Sequence, residues 1–134
     1  MNAYLLDTNA WIEFLRGRNL KLRQRIESHR PSAVRLCSIV VGELYHGAYK
    51  SSKKDHDLAL VDVLVTTFEC HPFDEPAAEA FGELRAHLES KGLQIGPYDL
   101  QIAAIALANR LTLITHNFAE FSRVPRLLMD DWQV

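Results

Sequence analysis

The sequence predicts an α/β protein, a three-layer α/β/α sandwich around a parallel central sheet. Two observations predict it. Short apolar runs of strand length alternate with segments of helical period along the whole chain. No linker, repeat or low-complexity stretch interrupts that alternation, so residues 1–134 read as one domain of a size that buries a sizeable core.

Ala3–Leu6 is the first apolar run and reads as a buried strand. Asn9 is placed to cap a helix through "AWIEFL". "NLKLRQRIESH" carries Leu20, Leu22 and Ile26 among charges, a surface helix that Pro31 ends. "AVRLCSI" is rich in β-formers and gives a second strand. "VVGELYHGAYKS" and "DHDLALVDVLVTTF" follow with helical period, the latter running into a strand around "TFECHPF". Asp74, Glu75 and Pro76 form a helix start, with a capping side chain, then an acid and Pro in the first turn. That helix runs through "AAEAFGELRAHLESKG", and Gly92 is placed to end it. "DLQIAAIALANRL" is apolar on nearly every face and predicts a buried helix. "TLITH" is the last clear strand.

Composition excludes several classes. Hydrophobic residues make up 48%, as in globular proteins. No apolar run approaches the roughly 20 residues needed to span a bilayer, and the N-terminus lacks the pattern of a secretory signal. Cys37 and Cys70 lie in apolar strand-like segments and read as reduced core residues, which places the protein in a cytoplasm. The formal net charge of -2 excludes binding of nucleic acid by bulk positive charge. Basic residues are nonetheless clustered: Arg16, Arg18, Lys21, Arg23, Arg25 and Arg30 face only Glu27, and Lys50, Lys53 and Lys54 form a second patch.

Three acids stand in apolar settings. Asp7 follows the first strand, at the carboxyl edge where parallel sheets hold ligands. Glu43 shares a helix face with Ile39, Val40 and Gly47. Asp99 opens the buried helix after the Gly96–Pro97 turn. Each has an ordinary reading alone: a strand-end acid, a paired acid, an acid at a helix N-terminus. Thr115, Asn117 and Glu120 follow the last strand at the same edge, whereas strand alternation turns His116 away from them. If these groups converge, their carboxylates repel, and a hard cation relieves the repulsion. An all-oxygen donor set suits Mg²⁺ or Mn²⁺ and not zinc.

"LLDTN", "VVGELYHGA", "GPYDLQIAAIA", "ITHNFAEFSRVPRL" and the closing "DDW" together resemble PIN-domain ribonucleases, most nearly the VapC-type toxins of prokaryotic toxin–antitoxin pairs. The resemblance runs in order over essentially the whole chain. It implies a PIN-like sandwich and a Mg²⁺-dependent endoribonuclease, with Mn²⁺ as a substitute. It also implies that Asp7, Glu43 and Asp99 are metal ligands and that Asn117 stands where many such domains carry a fourth acid. Thr8 or Thr115 would support the site through hydroxyl contacts. Arg16, Arg18, Arg23 and Arg25 would hold an RNA backbone, and the partners would be a cognate antitoxin and a second copy in a homodimer. The alternatives are a catalytically silent PIN-fold binding protein and a metal-dependent phosphatase-like α/β protein. The latter expects an Asp where Asn9 stands.

Overall fold

The computed structural model describes residues 2–134. Five strands form one parallel sheet: β1 (Tyr4–Leu6), β2 (Val34–Cys37), β3 (Glu69–His71), β4 (Thr112–Ile114) and β5 (Met129–Asp130), in the order β3-β2-β1-β4-β5. Tyr4 pairs with Val34 on one side and Thr112 on the other, which puts β1 at the centre. The helices between them are α1 (Thr8–Arg16), α2 (Leu20–Glu27), α3 (Ser38–Lys50), α4 (Lys54–Thr67), α5 (Glu75–Ser90), α6 (Pro97–Ala108) and α7 (Phe118–Phe121).

Parallel neighbours need crossovers, and those crossovers are right-handed. The chain therefore steps outward from β1 to β2 to β3 with α1–α4 on one face. It returns to β4 with α5 and α6 packed together on the other. β1 and β4 are adjacent, yet the connections that leave them run to opposite sides. A crevice opens beyond their carboxyl ends, the usual ligand position in such sheets.

The core fills as the apolar pattern dictates. Leu5 and Leu6 of β1, Leu36 of β2 and Leu113 of β4 are fully buried. Ile102–Ala106 of α6 are buried without a break, as expected of a helix with no polar stripe. Asp74 caps α5 through the Ala77 N–H at 3.2 Å, and Gly92, with φ of +67°, lets the chain reverse just past that helix. Among the described residues, no helix is long and apolar enough to cross a membrane.

Three details differ from the sequence reading. Asp7, not Asn9, caps α1: its Oδ1 accepts from the Ala10 N–H at 2.9 Å, so Thr8 and Asn9 already lie in the helix. The strand ending at Ile114 is not the last, because Met129–Asp130 adds a two-residue edge strand beside it. Cys37 is buried, and burial pushes its thiol up to about 12, but Cys70 is exposed, since β3 is an edge strand. Helix α4 is two-faced, as its period implies: Val61 and Leu64 are buried, while Val63 is 60% exposed.

Candidate active site

Asp7, Glu43 and Asp99 line one cleft of about 860 Å³ at the crevice between β1 and β4. Each is delivered by a different element. Asp7 leaves β1, and its backbone N–H bonds the Ile114 carbonyl at 3.0 Å, which ties it to the end of β4. Glu43 projects from α3 in the helical register of Ile39 and Gly47, which line the same cleft. Asp99 sits in the first turn of α6, which begins at Pro97.

Two hydroxyls brace the acids. The Thr115 hydroxyl, itself buried, donates to Asp7 Oδ2 at 2.6 Å. Thr115 Oγ1 in turn accepts from the Asn117 N–H at 2.9 Å, so the direction of the Thr115 proton is settled. The Thr8 hydroxyl donates to Glu43 Oε1. Both threonines singled out in the sequence therefore touch a carboxylate directly.

The electrostatics show a shortage of positive charge. Burial raises the Asp7 carboxyl above its ordinary range, opposed by the bonds from Thr115 and Ala10; Glu43 and Asp131 add to the rise. Asp99 is pushed up to about 8, first by burial, then by the hydrogen bond and charge of Glu120, then by Asp7 and Glu43. Two carboxyl groups hydrogen-bond each other only by sharing a proton. Glu120 Oε1 is buried and, among the described residues, has no hydrogen-bond partner.

The sequence places Glu120 at the same edge as Thr115 and Asn117 but does not reveal its neighbour. It lies against Asp99 as a fourth acid. Asn117 lines the cleft, but its Oδ1 caps α7, accepting from the Glu120 N–H at 3.4 Å. That cap orients the turn carrying Glu120. His116 also departs from expectation. The strand ends at Ile114, so alternation no longer governs residue 116, and the imidazole lies at the same edge, bonded to Asp131 at 2.7 Å.

The donor set is all oxygen, which suits a hard divalent cation. The Asp7 and Asp99 carboxyls are held up by burial first and by neighbouring acids second, and among the described residues one buried carboxylate oxygen lacks a partner, so the residues fit such an ion. Among the described residues, however, no three acid, His or Cys side chains close into a ready-made metal nest. The ligands would have to draw together on binding.

The predicted RNA-binding arginines do not line the cleft; Lys50 is its cation, beside His46 and Tyr98. Arg16 bonds Glu13 at 3.2 Å. Arg25 bonds Asp130 at 3.1 Å and lies over the Trp132 ring. Arg18 and Arg23 are exposed on the α1–α2 connection and on α2.

A family model described as "PIN domain" matches residues 4–127. Ribonuclease VapC2 of Rickettsia felis is 35% identical over 130 residues, 96% of this chain and 97% of that protein. The tRNA(fMet)-specific endonuclease VapC of Salmonella typhimurium is 35% identical over 132 residues, 98% of this chain and 99% of its own. A solved structure, the DNA-bound VapBC from Salmonella typhimurium, superposes with a TM-score of 0.93 at 34% identity. It covers 98% of this chain and 99% of that one.

Proposed function

The chain belongs to the PIN domain family, and from that premise we propose that it is a divalent-cation-dependent endoribonuclease acting as the toxin of a toxin–antitoxin pair. The observation that carries the proposal is the convergence of Asp7, Glu43 and Asp99 on one cleft at the β1–β4 crevice.

In this reading Asp7, Glu43 and Asp99 would hold Mg²⁺, or Mn²⁺ in its place, with Glu120 beside Asp99 as a fourth acid. The cation, when bound, supplies the positive charge that RNA phosphate and an attacking water require. The chain's own residues do the rest. Thr115 and Thr8 fix the Asp7 and Glu43 carboxylates so that their free lone pairs face the cleft. Lys50, at the end of α3, lines the cleft and would meet a phosphate oxygen of the bound strand. Arg18 and Arg23 extend that contact along the backbone. Phosphate contacts of this kind give affinity without sequence choice. The name of the Salmonella relative makes initiator tRNA the first substrate to test.

The antitoxin is proposed to lay an amphipathic segment in the groove between α1, α3 and α4. Ile12, Leu15, Leu44, Leu60 and Val61 line it, and it shares Ile12, Glu43 and Gly47 with the cleft. The exposed Tyr49 and Val63 flank that side of the molecule and are offered to the antitoxin or to a second copy in a homodimer. A cytoplasmic location follows from an RNA substrate.

The test is cleavage of total RNA and of initiator tRNA by the purified protein, with and without Mg²⁺ or Mn²⁺, alongside Asp7→Asn, Glu43→Gln and Asp99→Asn. Cleavage should require the cation and fall by at least two orders of magnitude in each variant. Undiminished cleavage in any variant removes that residue from the proposal, and cation-independent cleavage removes the mechanism.

A further inference from the structure

A second depression of about 410 Å³ adjoins the cleft. It is lined by Asp7, Asn9, Glu13, His116, Asn117 and Gln133, and it shares Asp7, Asn9 and Asn117 with the cleft. We propose that it is a nucleobase pocket that reads the base next to the scissile phosphate, with guanine the preferred occupant. The proposal rests on the nuclease reading above and names a substrate feature of the same site.

The lining excludes phosphate. Among the described residues no Lys or Arg lines the depression, and the carboxylates of Asp7 and Glu13 repel an anion. What remains is a set of polar groups held in place from outside. His116 Nδ1 is bonded to Asp131 Oδ2 at 2.7 Å. A carboxylate can only accept, so Nδ1 carries the proton and Nε2 is left for a ligand. Glu13 is steadied by Arg16 through Oε1, which leaves Oε2. Gln133 is fixed by its backbone: its N–H bonds Asp131 Oδ1 at 2.9 Å and its carbonyl accepts from Asn19 Nδ2 at 3.2 Å. Among the described residues, the side-chain amides of Asn9 and Gln133 take no hydrogen-bond partner.

Such a set matches the edge of an unstacked base, the feature by which proteins choose single-stranded RNA sequences. A carboxylate wants N–H donors. The Watson–Crick edge of guanine offers two adjacent ones, N1–H and N2–H₂, whereas adenine, cytosine and uracil offer one position each. Guanine N7 and O6 accept, which suits the amide N–H groups of Asn9 and Gln133. A planar imidazole held at one wall adds a surface for stacking. Loss of one two-point contact typically costs roughly ten-fold or more in discrimination.

Two measurements test this. First, a single-stranded RNA pool, randomised around the cut, is digested in Mg²⁺ by the wild type, Glu13→Gln and His116→Ala, and the ends are sequenced. Wild-type cuts should be enriched in guanine at one adjacent position, and Glu13→Gln should lose roughly ten-fold of that enrichment. An unchanged base profile in both variants overturns the proposal and leaves the nuclease reading standing. Second, the four nucleoside 5′-monophosphates are titrated onto the wild type while side-chain NMR signals of His116 and Gln133 are followed. Guanosine monophosphate should move both signals, and more weakly in Glu13→Gln. If these shifts appear but the wild type cleaves no RNA, the pocket stands and the nuclease reading falls. If guanosine monophosphate moves neither signal, the pocket assignment is wrong.

Discussion

Thr115→Val should destabilise the protein by about 2–3 kcal/mol at neutral pH. The Thr115 hydroxyl is buried and donates to Asp7 Oδ2 at 2.6 Å, and Asp7 is only 4% exposed. A hydrogen bond to a charged group contributes about 1.5–3 kcal/mol, and valine leaves that oxygen without a donor where water reaches it poorly. The backbone N–H of Asn117, in an exposed residue, loses its acceptor as well. For a chain of this length the loss corresponds to a fall in Tm of roughly 6–12 °C. The sign with pH follows from the same bond. The Thr115 contact pulls the Asp7 carboxyl down, against a larger upward push from burial. Its contribution is therefore present while Asp7 is ionised and is lost as pH falls through the Asp7 pKa. Urea unfolding of the cation-free protein at pH 8 and at pH 4 measures both effects, with Thr115→Ser, which keeps the hydroxyl, recovering most of the loss. A deficit below about 0.5 kcal/mol at pH 8, or one as large in Thr115→Ser, would refute the bracing role.

Glu120→Gln should make the cation-free protein more stable at neutral pH and flatten its pH dependence. Asp99 has a folded pKa raised from 3.8 to about 8, so the folded state binds its proton more tightly and stability falls as pH rises across that window. A melting profile between pH 4 and 8 that keeps its slope in the variant would contradict the Asp99–Glu120 coupling. Lys50→Ala should weaken RNA binding evenly across sequences and reduce the magnitude of the salt slope by about 1, read by binding titrations at several salt concentrations. An unchanged slope would place Lys50 away from the strand. Antitoxin and cation should compete if an antitoxin Arg or Lys enters the acid cluster, so Mn²⁺ titrated into the complex should bind clearly more weakly than to the isolated protein. Equal affinity would mean that the antitoxin only blocks access.

Legibility in the sequence followed the strength of local pattern. Helix α6 could be read outright because "DLQIAAIALA" leaves no polar stripe, and a helix apolar all round has to be interior. Asp74, Glu75 and Pro76 announced α5 for a reason just as local. Strand β5 could not be read. Two residues carry no periodicity, and Met129–Asp130 is extended only because β4 offers it a free edge. Glu120 shows the same limit at the site. Its role depends on Asp99, far away in the chain and brought close only when α6 packs beside β4. The arginines show a further limit. Their clustering in sequence was plain, but Glu13, Asp130 and Trp132 engage two of them.

Asp7 shows why an ordinary structural reading and a functional one need not compete. Its Oδ1 caps α1, the commonest task of an Asp at a strand–helix junction. The cap orients the carboxylate and the Thr115 hydroxyl restrains its other oxygen, so the side chain reaches the cleft in one rotamer. Each oxygen keeps a further lone pair, which is what a cation needs. Asn117 follows the same logic, since its cap of α7 positions the turn that carries Glu120 toward Asp99. Capping is how this fold aims two of its polar groups. Asp7→Asn therefore discriminates between the roles: an Asn still caps α1, so the fold should survive while cation binding and cleavage are lost. A variant that unfolded instead would show that the Asp7 charge serves the fold more than the site.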